Sequence, residues 1–341
     1  MGYSIAVLNN IRMNASQEYK DRIPKATQSN INAIGQAFQN YNLVFNEFLS
    51  NLFNRIGKTV LEQKMFKNRL ARFKSGTITN QQDVEEIFIG MAKAEGSYDK
   101  NGTNPLGRRA PVEIDVWYHR MNRQDYYAIS IGDLDFRRVF QSESTLDEFI
   151  RAQINAVYSA DQYDEWLAMK NVMATYRSKD GAFDGYFHYE VSEMGDDKEK
   201  WAKEYIKAIR KAVQDFSFPS TLYNPAGVKT WCDPSDLVLF VNKDVLVEVD
   251  VERLATAFHT SHTDQKVVPT IIPMDDFGSL GNVYSLLVDK NWFKVWDTLS
   301  HMESQRNAHG LFTNYFYHHH QILSASMFKN AAKFAPPTPE P

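Results

Sequence analysis

The sequence contains little cysteine and no long apolar run. Cys232 is the single cysteine among 341 residues, so no disulfide can form within the chain, which fits folding in a reducing cytoplasm. No apolar stretch approaches the roughly 20 residues that a membrane-spanning helix needs. The N-terminal segment, MGYSIAVLNNIRMN, has neither the basic start nor the long apolar core of a signal peptide. We therefore expect a protein without disulfides and without a membrane partner.

The sequence also lacks an excess of basic residues. It has 38 lysines and arginines against 42 aspartates and glutamates, which gives a formal net charge of -4. Proteins that bind nucleic acid by neutralising its phosphates usually carry a basic face, so the charge balance argues against that class. Hydrophobic residues make up 43% of the chain, which is enough for a substantial core in two or three subdomains.

Motifs for catalysis are weak. The strongest metal-like group is HTSHTD, in which His259 and His262 could share one face of a helix end with Asp264 nearby, but the spacing specifies no further ligand. The histidines at 318–320 are consecutive, so on a strand the middle one points away from its neighbours. Segment 278–281 lacks the Lys-Ser/Thr ending of a phosphate loop. The sequence therefore predicts no enzyme and no catalytic, metal or cofactor site.

Segment 284–334 is rich in aromatic and branched residues on both sides of a turn at 305–310. Residues of this kind suit the packed surface of a sheet better than a helix, and Gly310 supplies permissive backbone for the turn. The segment therefore predicts a long antiparallel ribbon that closes a β platform. The residues concerned are Val288, Trp292, Phe293, Val295, Trp296, Leu311, Phe312, Tyr315, Phe316, Tyr317, Ile322 and Leu323.

The same segment carries a resemblance to a known family. It contains VDKNWF, the pair Met302-Glu303, the pair Arg306-Asn307, GLFTNYFYH and FKNAAKF in this order, and a second block, DLVLFVNKDVLVEVDVERLATAF, lies at 236–258. Both blocks resemble the major capsid protein of small, short-tailed, protein-primed podoviruses of Gram-positive bacteria, and a looser resemblance extends back to about residue 40. The resemblance implies an α+β chain with the tailed-phage capsid fold, also called the Johnson fold.

That fold has an N-terminal arm, an extended β loop, a peripheral domain with a long spine helix, and an axial domain. The pattern of the chain agrees with each part. Residues 1–28 are polar and weakly patterned, which predicts an arm that becomes ordered only with a partner. The predicted segments are an arm and helix (1–58), the extended loop (59–131), the peripheral domain with the spine helix (132–195), the axial domain (196–277), the peripheral β platform (278–334) and a disordered tail (335–341).

Two helices are predicted in these segments by apolar residues at helical spacing. The first covers 29–58, and it either packs in the core or belongs to an arm that contacts another subunit, which the resemblance favours. The second, the spine helix at 144–178, would be about 50 Å long and apolar on two sides. The stripe of the first is Ile34, Phe38, Tyr41, Phe45, Leu49, Leu52 and Ile56; the two sides of the second are Ile150, Ile154 and Val157, and Phe149, Ala156, Ala160, Tyr163 and Leu167.

The extended loop contains a basic cluster and an acidic strand. Further along, Val112, Ile114, Val116 and Tyr118 alternate with more polar residues, which predicts a half-buried strand with one wet face. The charged residues are solvated surface or contacts between subunits; as a hypothesis, the basic cluster meets acidic residues of the next subunit. The candidate contact residues are Lys67, Arg69, Arg72, Lys74, Asp83, Glu85 and Glu86.

The resemblance implies a major capsid protein that self-assembles into pentamers and hexamers. These would form the icosahedral head, assembled in the host cytoplasm with scaffolding and portal proteins and enclosing double-stranded DNA without sequence-specific binding. Some relatives carry a further Ig-like domain, for which this sequence has no room after Pro341, so we expect no such decoration role. An encapsulin-like cellular shell, a metal-dependent enzyme using His259, His262 and Asp264, and a nucleic-acid-binding protein are the alternatives.

Overall fold

The structure is a computed structural model, and it describes most of the chain. The described residues are 3–41, 43–44, 47–48, 51, 66–78, 83–92, 94, 111–132, 143–181, 184–249 and 270–337. Two predictions fall outside them, namely the group of His259, His262 and Asp264 and part of both helical stripes.

Helices and strands mix along the chain, as the predicted α+β class requires. The helices are α1 (Tyr3–Asn14), α2 (Gln17–Arg22), α3 (Ile31–Asn40), α4 (Glu143–Ala174), α5 (Lys198–Ser217) and α6 (Lys243–Glu248). The strands are β1 (Lys74–Thr77), β2 (Val84–Ile89), β3 (Ile114–His119), β4 (Met121–Gly132), β5 (Phe187–Glu190), β6 (Leu237–Asn242), β7 (Thr270–Met274), β8 (Ser285–Asp289), β9 (Phe293–Asn307), β10 (Phe312–Ala325) and β11 (Ala331–Ala335).

A long antiparallel ribbon, β9 and β10, forms the centre of a four-stranded sheet of order β1-β9-β10-β4. This confirms the predicted ribbon. Its turn differs from the prediction, because the residue with positive φ is Leu311 (φ 52°) and not Gly310. Gly310 is required for another reason: a Cβ atom there would collide with the ring of Phe312.

The predicted extended loop at 59–131 is shorter than expected. Strand β1 pairs in parallel with β9, and β4 runs antiparallel along β10, so both belong to the four-stranded sheet. Only β2 and β3 form a separate two-stranded sheet in the described part of this segment. The extent of the loop was wrongly predicted, because alternating apolar and polar residues predict a strand but do not specify which other strand it pairs with.

A five-stranded sheet of order β5-β11-β8-β6-β7 forms the second layer of strands. Strands β8 and β11 come from the segment predicted to be the platform, so the predicted boundary at 277 passes through one sheet. Ala335, predicted to begin a disordered tail, is a buried residue of β11. On one side of the sheet, α5 packs an apolar stripe of Trp201, Tyr205, Ile209, Val213 and Phe216.

The N-terminal segment is ordered within the chain itself, and the prediction of a partner-dependent arm at 1–28 is wrong. Ile5, Leu8 and Ile11 lie on the buried side of α1, and Tyr19 of α2 is fully buried. They pack with α3 and with inward residues of the four-stranded sheet. The apolar stripe was missed because Asn9 and Asn10 interrupt it and Arg12 follows it, so the stretch reads as weakly patterned.

The predicted helix at 29–58 does not continue through Tyr41. Ile34 and Phe38 are buried as predicted, but α3 ends at Asn40 and Tyr41 is 42% exposed. Tyr41 carries the guanidinium of Arg22 on its ring instead, with Cζ 4.1 Å from the ring centroid. After this break Val44 and Phe48 are buried, because the end of α3 changes the register.

The predicted spine helix is α4, with 32 residues and a length of about 48 Å. Tyr163 and Leu167, which were predicted to form a second apolar side, are 46% and 39% exposed. The buried row instead repeats every four residues and includes two carboxylates. Its members are Val157, Asp161, Glu165, Met169 and Met173.

Candidate functional site

The ribbon of β2 and β3 is fixed to the rest of the chain through one of its faces. Glu86 accepts a hydrogen bond from Ser326 Oγ at 2.8 Å and forms an ion pair with Lys294 at 3.1 Å. The ring of Phe88 packs against that of Phe328, with centroids 5.7 Å apart. These contacts hold the ribbon in one orientation.

The other face of the ribbon is apolar and exposed. Ile89 pairs with Ile114 across the two strands, and the two side chains are 68% and 64% exposed. Ile87 and Tyr118 on the same face are 55% and 51% exposed. The predicted strand at 112–118 was therefore assigned the wrong buried side, since the apolar row faces solvent. An apolar row that stays exposed on an ordered ribbon is typical of a contact surface.

The acidic contact candidates have partners within the chain. Asp83 forms an ion pair with Arg120 at 3.2 Å, and Glu85 is hydrogen-bonded to Tyr118. Glu86 makes the contacts described above. Burial alone would raise the pKa of Glu86, but the hydrogen bond with His119 and the charge of Lys294 outweigh it and lower that pKa.

The basic candidates divide into one partly buried residue and three exposed ones. Lys74 lies inside the fold, where its Nζ is 2.8 Å from carboxylate oxygens of both Glu165 and Asp297. The other three are exposed and form no ion pair with any residue in the described ranges; they are Lys67, Arg69 and Arg72. We call these three residues the basic trio.

Buried contacts attach the segment that carries the basic trio to the rest of the fold. The buried amide of Asn68 donates to Glu165 Oε1 at 2.7 Å, and Leu70 is fully buried. Beside it, the ring of Phe66 lies 5.4 Å from that of Tyr163 and 5.7 Å from that of Trp166 on α4. The trio therefore projects from a fixed segment, which keeps the three charges at one place on the surface.

A buried polar cluster lies between α4 and the four-stranded sheet. His319 of β10 points inward, with Nδ1 2.6 Å from Asp161 Oδ1 and Nε2 3.2 Å from Asp297 Oδ1. Burial would lower the pKa of His319, but the hydrogen bonds to Asp161 and Asp297 outweigh it and raise the pKa to about 9. The imidazole is therefore charged at neutral pH.

Two further cations complete this cluster. Lys74 bridges Glu165 and Asp297, and the pKa of Asp297 is lowered because the bonds from His319 and Lys74 outweigh its burial. Arg123 donates to Gln321 Oε1 at 2.5 Å and to Asp161 Oδ1 at 3.0 Å. Each of the three carboxylates therefore has a cationic partner, as buried charges require.

The cluster has the composition of a metal site but not its electrostatics. Oxygen or nitrogen atoms of Glu165, Asp297 and His319 lie within 4.8 Å of one another. The ammonium of Lys74 already lies against both of these carboxylates, and Gln321 Nε2 donates to both at 2.6 Å. We therefore read the cluster as a structural one. The sequence did not predict this cluster, because carboxylates on a helix, such as those of Asp161 and Glu165, are normally assigned to the face exposed to solvent.

Cys232 is a free, buried thiol. Its Sγ lies 3.6 Å from the carbonyl oxygen of Asp233. Burial, and then the carboxylate of Asp289, raise the pKa of the thiol, which keeps it protonated and unreactive.

Comparison with protein families identifies the chain. A family model described as Phi29-like phage major capsid protein matches residues 8–335. The chain belongs to this family. The Phi29-like phage major capsid proteins are structural proteins of the virion, so the metal-dependent enzyme and the encapsulin-like shell are not favoured.

Individual capsid proteins agree with this assignment to the Phi29-like family. The chain is 34% identical to the major capsid protein of Bacillus phage B103 over 336 residues, which cover 97% of the chain and 72% of the relative. It is 28% identical to the major capsid protein of Streptococcus phage Cp-1, over 96% of the chain and 93% of that relative. These matches confirm the resemblance predicted from segments 236–258 and 284–334.

Solved structures confirm the predicted fold of this Phi29-like family member. A capsid structure of Staphylococcus phage Andhra matches with a TM-score of 0.63 at 12% identity, over 82% of this chain and 87% of that one. The mature capsid of bacteriophage PhiM1 matches with a TM-score of 0.52 at 12% identity, over 83% of this chain and 91% of that one. The fold is thus the tailed-phage capsid fold. None of the helices in the described ranges combines the length and hydropathy of a membrane span.

Proposed function

We propose that this chain self-assembles into pentamers and hexamers that form an icosahedral phage head around double-stranded DNA. Membership of the Phi29-like major capsid protein family supports this function. Assembly takes place in the host cytoplasm with scaffolding and portal proteins as partners. The net charge of -4 supports a shell that encloses DNA without binding its sequence.

The exposed apolar face of the β2–β3 ribbon is the observation that carries this proposal. Its opposite face is fixed to the chain by Glu86 and Phe88, so the ribbon is ordered although Ile89 and Ile114 are mostly exposed. Exposed apolar side chains cost free energy in water, and covering them stabilises an association by roughly 25 cal/mol per Å². The occupant that fits is a neighbouring copy of the same chain.

The contact we propose is heterologous, which means that the ribbon of one copy meets a different surface of the next. Contacts of this kind close into rings when the rotation between copies is suitable. The basic trio, which is also exposed and fixed in place, meets carboxylates of the neighbouring copy. Exposed ion pairs contribute only about 0–1 kcal/mol each, but they recur at every repeat of the contact.

Electron microscopy with light scattering tests the proposal. The chain is expressed alone and together with the other virion genes, as the natural sequence and as the double variant Ile89→Glu/Ile114→Glu. We expect closed shells, or rings of five and six, from the natural sequence and only small species from the double variant. The two glutamates of the double variant would have to be buried in the contact, and removing their charges from water costs a large amount of free energy.

The matched control is Val247→Glu, since Val247 is an 83% exposed apolar residue on α6, away from the ribbon. This variant should assemble normally. A small, discrete oligomer of the natural sequence in both preparations would contradict the shell function. Normal shells from the double variant would instead contradict the role of the ribbon.

A further inference from the structure

Three histidines lie together on the outer face of the four-stranded sheet, which is the face opposite α4. His318 and His320 are two residues apart on β10, and the inward direction of His319 between them places both on the outer side. The register pairs His318 directly with His301 of β9, so all three share one face. We call them the outer histidines.

The spacing of the outer histidines suits a single ion. The ring centroids of His318 and His320 are 6.3 Å apart, and their planes cross at 87°. Directly paired residues on neighbouring antiparallel strands have Cβ atoms about 4.5–5.5 Å apart, which applies to His301 and His318. Binding of one ion requires rotation of these partly exposed side chains, because a zinc–imidazole bond holds each ring nitrogen roughly 2.0–2.1 Å from the ion.

Glu303 supports one of these rings from the side. Its Oε1 lies 2.7 Å from Nε2 of His301, two residues away on the same face of β9. A carboxylate bound to the outer nitrogen of a ligand histidine fixes the ring and increases its basicity. The contact occupies Nε2 and leaves the Nδ1 atom of His301 as the nitrogen that can bind the ion. The Nδ1 atom of His320 has no hydrogen-bond partner among the described residues.

The charge around the outer histidines differs from that of the buried polar cluster. In the buried polar cluster, the ammonium of Lys74 lies between two carboxylates, where a metal ion would otherwise bind. The strand register gives the outer histidines the neighbours Leu299, Glu303, Phe316, Gln124, Tyr126 and Ala128. None of these described neighbours is a lysine or an arginine, so no side-chain cation of these rows competes with a metal ion.

We propose that His301, His318 and His320 together bind one divalent transition-metal ion, with Glu303 orienting His301. Imidazole ligands favour Zn²⁺, Ni²⁺, Co²⁺ and Cu²⁺ over Mg²⁺ or Ca²⁺, which take oxygen ligands. The ion joins β9 to β10 on the face that α4 does not cover. This inference does not depend on the shell function, because all of its ligands come from one chain.

Titration of the purified full-length chain with Zn²⁺ tests the site. Isothermal calorimetry should give one ion per chain with a Kd of about 10 µM or lower, and Co²⁺ should develop the visible absorption of a tetrahedral site. Each of His301→Ala, His318→Ala and His320→Ala should weaken binding by tenfold or more. Glu303→Gln should weaken it roughly tenfold, as removal of an orienting partner does.

His309→Ala is the matched control, because His309 is an exposed histidine in the turn between β9 and β10, the two strands that carry the outer histidines. This variant should bind Zn²⁺ like the natural chain, and circular dichroism and urea unfolding identify any variant that fails to fold. Should one of the three alanine variants not fold, the other two decide the question. The proposal is wrong if the natural chain shows no saturable binding, or if His309→Ala loses as much affinity as the variants of the outer histidines.

Discussion

The Nζ atom of Lys74 lies 2.8 Å from Oε2 of Glu165, whose side chain is fully buried in the middle of α4. The same ammonium lies 2.8 Å from Asp297 of β9. One cation therefore joins β1, the spine helix and the central ribbon. Burial would lower the pKa of Lys74, but Glu165 and Asp297 outweigh it and raise the pKa, so the ammonium keeps its charge.

Replacing Lys74 should destabilise the chain strongly. Lys74→Met leaves the buried Glu165 and the partly buried Asp297 without their shared cation, and loss of one partner of a buried ion pair costs about 3–5 kcal/mol. Urea unfolding of the unassembled chain should show a loss of about 3 kcal/mol. Lys67→Met, in the exposed basic trio, should change the stability by less than about 0.5 kcal/mol. Equal effects of the two variants would contradict the structural role of Lys74.

Stability should fall as pH rises through 9, because His319 is charged in the folded chain. Its pKa of about 9 lies above the ordinary value of 6.5, so its contribution is complete below pH 6.5 and is lost as pH rises through 9. The shift corresponds to about 3 kcal/mol. Urea midpoints between pH 6 and 9.5 should therefore decline for the natural chain, and less steeply for His319→Gln.

A second variant separates this effect from other groups that titrate at high pH. Asp161→Asn removes the carboxylate nearest to His319 Nδ1 and should lower the pKa of His319, which moves the decline to lower pH. NMR titration of the His319 ring reports that pKa directly. An unchanged pH profile in both variants would show that His319 does not set the decline.

The N-terminal helices should be needed for stability rather than only for contacts between copies. Leu8 is 3% exposed in a core shared with α3 and the sheet, so Leu8→Ala should cost about 2–4 kcal/mol. Met13, on the same helix, is 69% exposed, and Met13→Ala should cost little. If residues 1–28 became ordered only on assembly, both variants would unfold in urea like the natural chain.

The basic trio should affect assembly without affecting the fold. Arg69→Glu/Arg72→Glu should slow shell formation most at low salt, because exposed charge pairs are screened as ionic strength rises. The unfolding midpoint of the unassembled chain should not change. Lys207→Glu, an exposed charge on α5, is the control and should assemble like the natural chain. Assembly of the trio variant at the natural rate would count against a contact there.

The parts of the fold that depend on local pattern were predictable. The β9–β10 ribbon follows from its aromatic and branched residues on both sides of a turn, and the spine helix follows from the helical spacing of its apolar residues. The family blocks at 236–258 and 284–334 supplied the capsid fold. Helix α1 was not predictable in this way, because Ile5, Leu8 and Ile11 show their buried side only after the sheet is in place.

The candidate sites were predictable only in part, for two physical reasons. Asp161 and Glu165 sit in the buried row of α4, and a charge at a buried position cannot be distinguished from a surface charge without its partners. The alternation of β3 predicted a strand, but which side faces the core depends on the neighbours of Ile114. The sequence placed Lys74 in one cluster with the basic trio, because it cannot show that Lys74 lies against Glu165 and Asp297.

Strand β11 has a consequence for when the chain can finish folding. It lies between β5, with which it pairs in parallel, and β8, with which it pairs in antiparallel fashion. Strand β11 therefore closes a sheet whose other members are made earlier in synthesis. Until residues 331–335 are available, two strand edges stay open, and an unfinished chain cannot present the complete subunit to its neighbours. We therefore expect synthesis through residue 335 to come before association, which would keep chains without β11 out of a growing lattice.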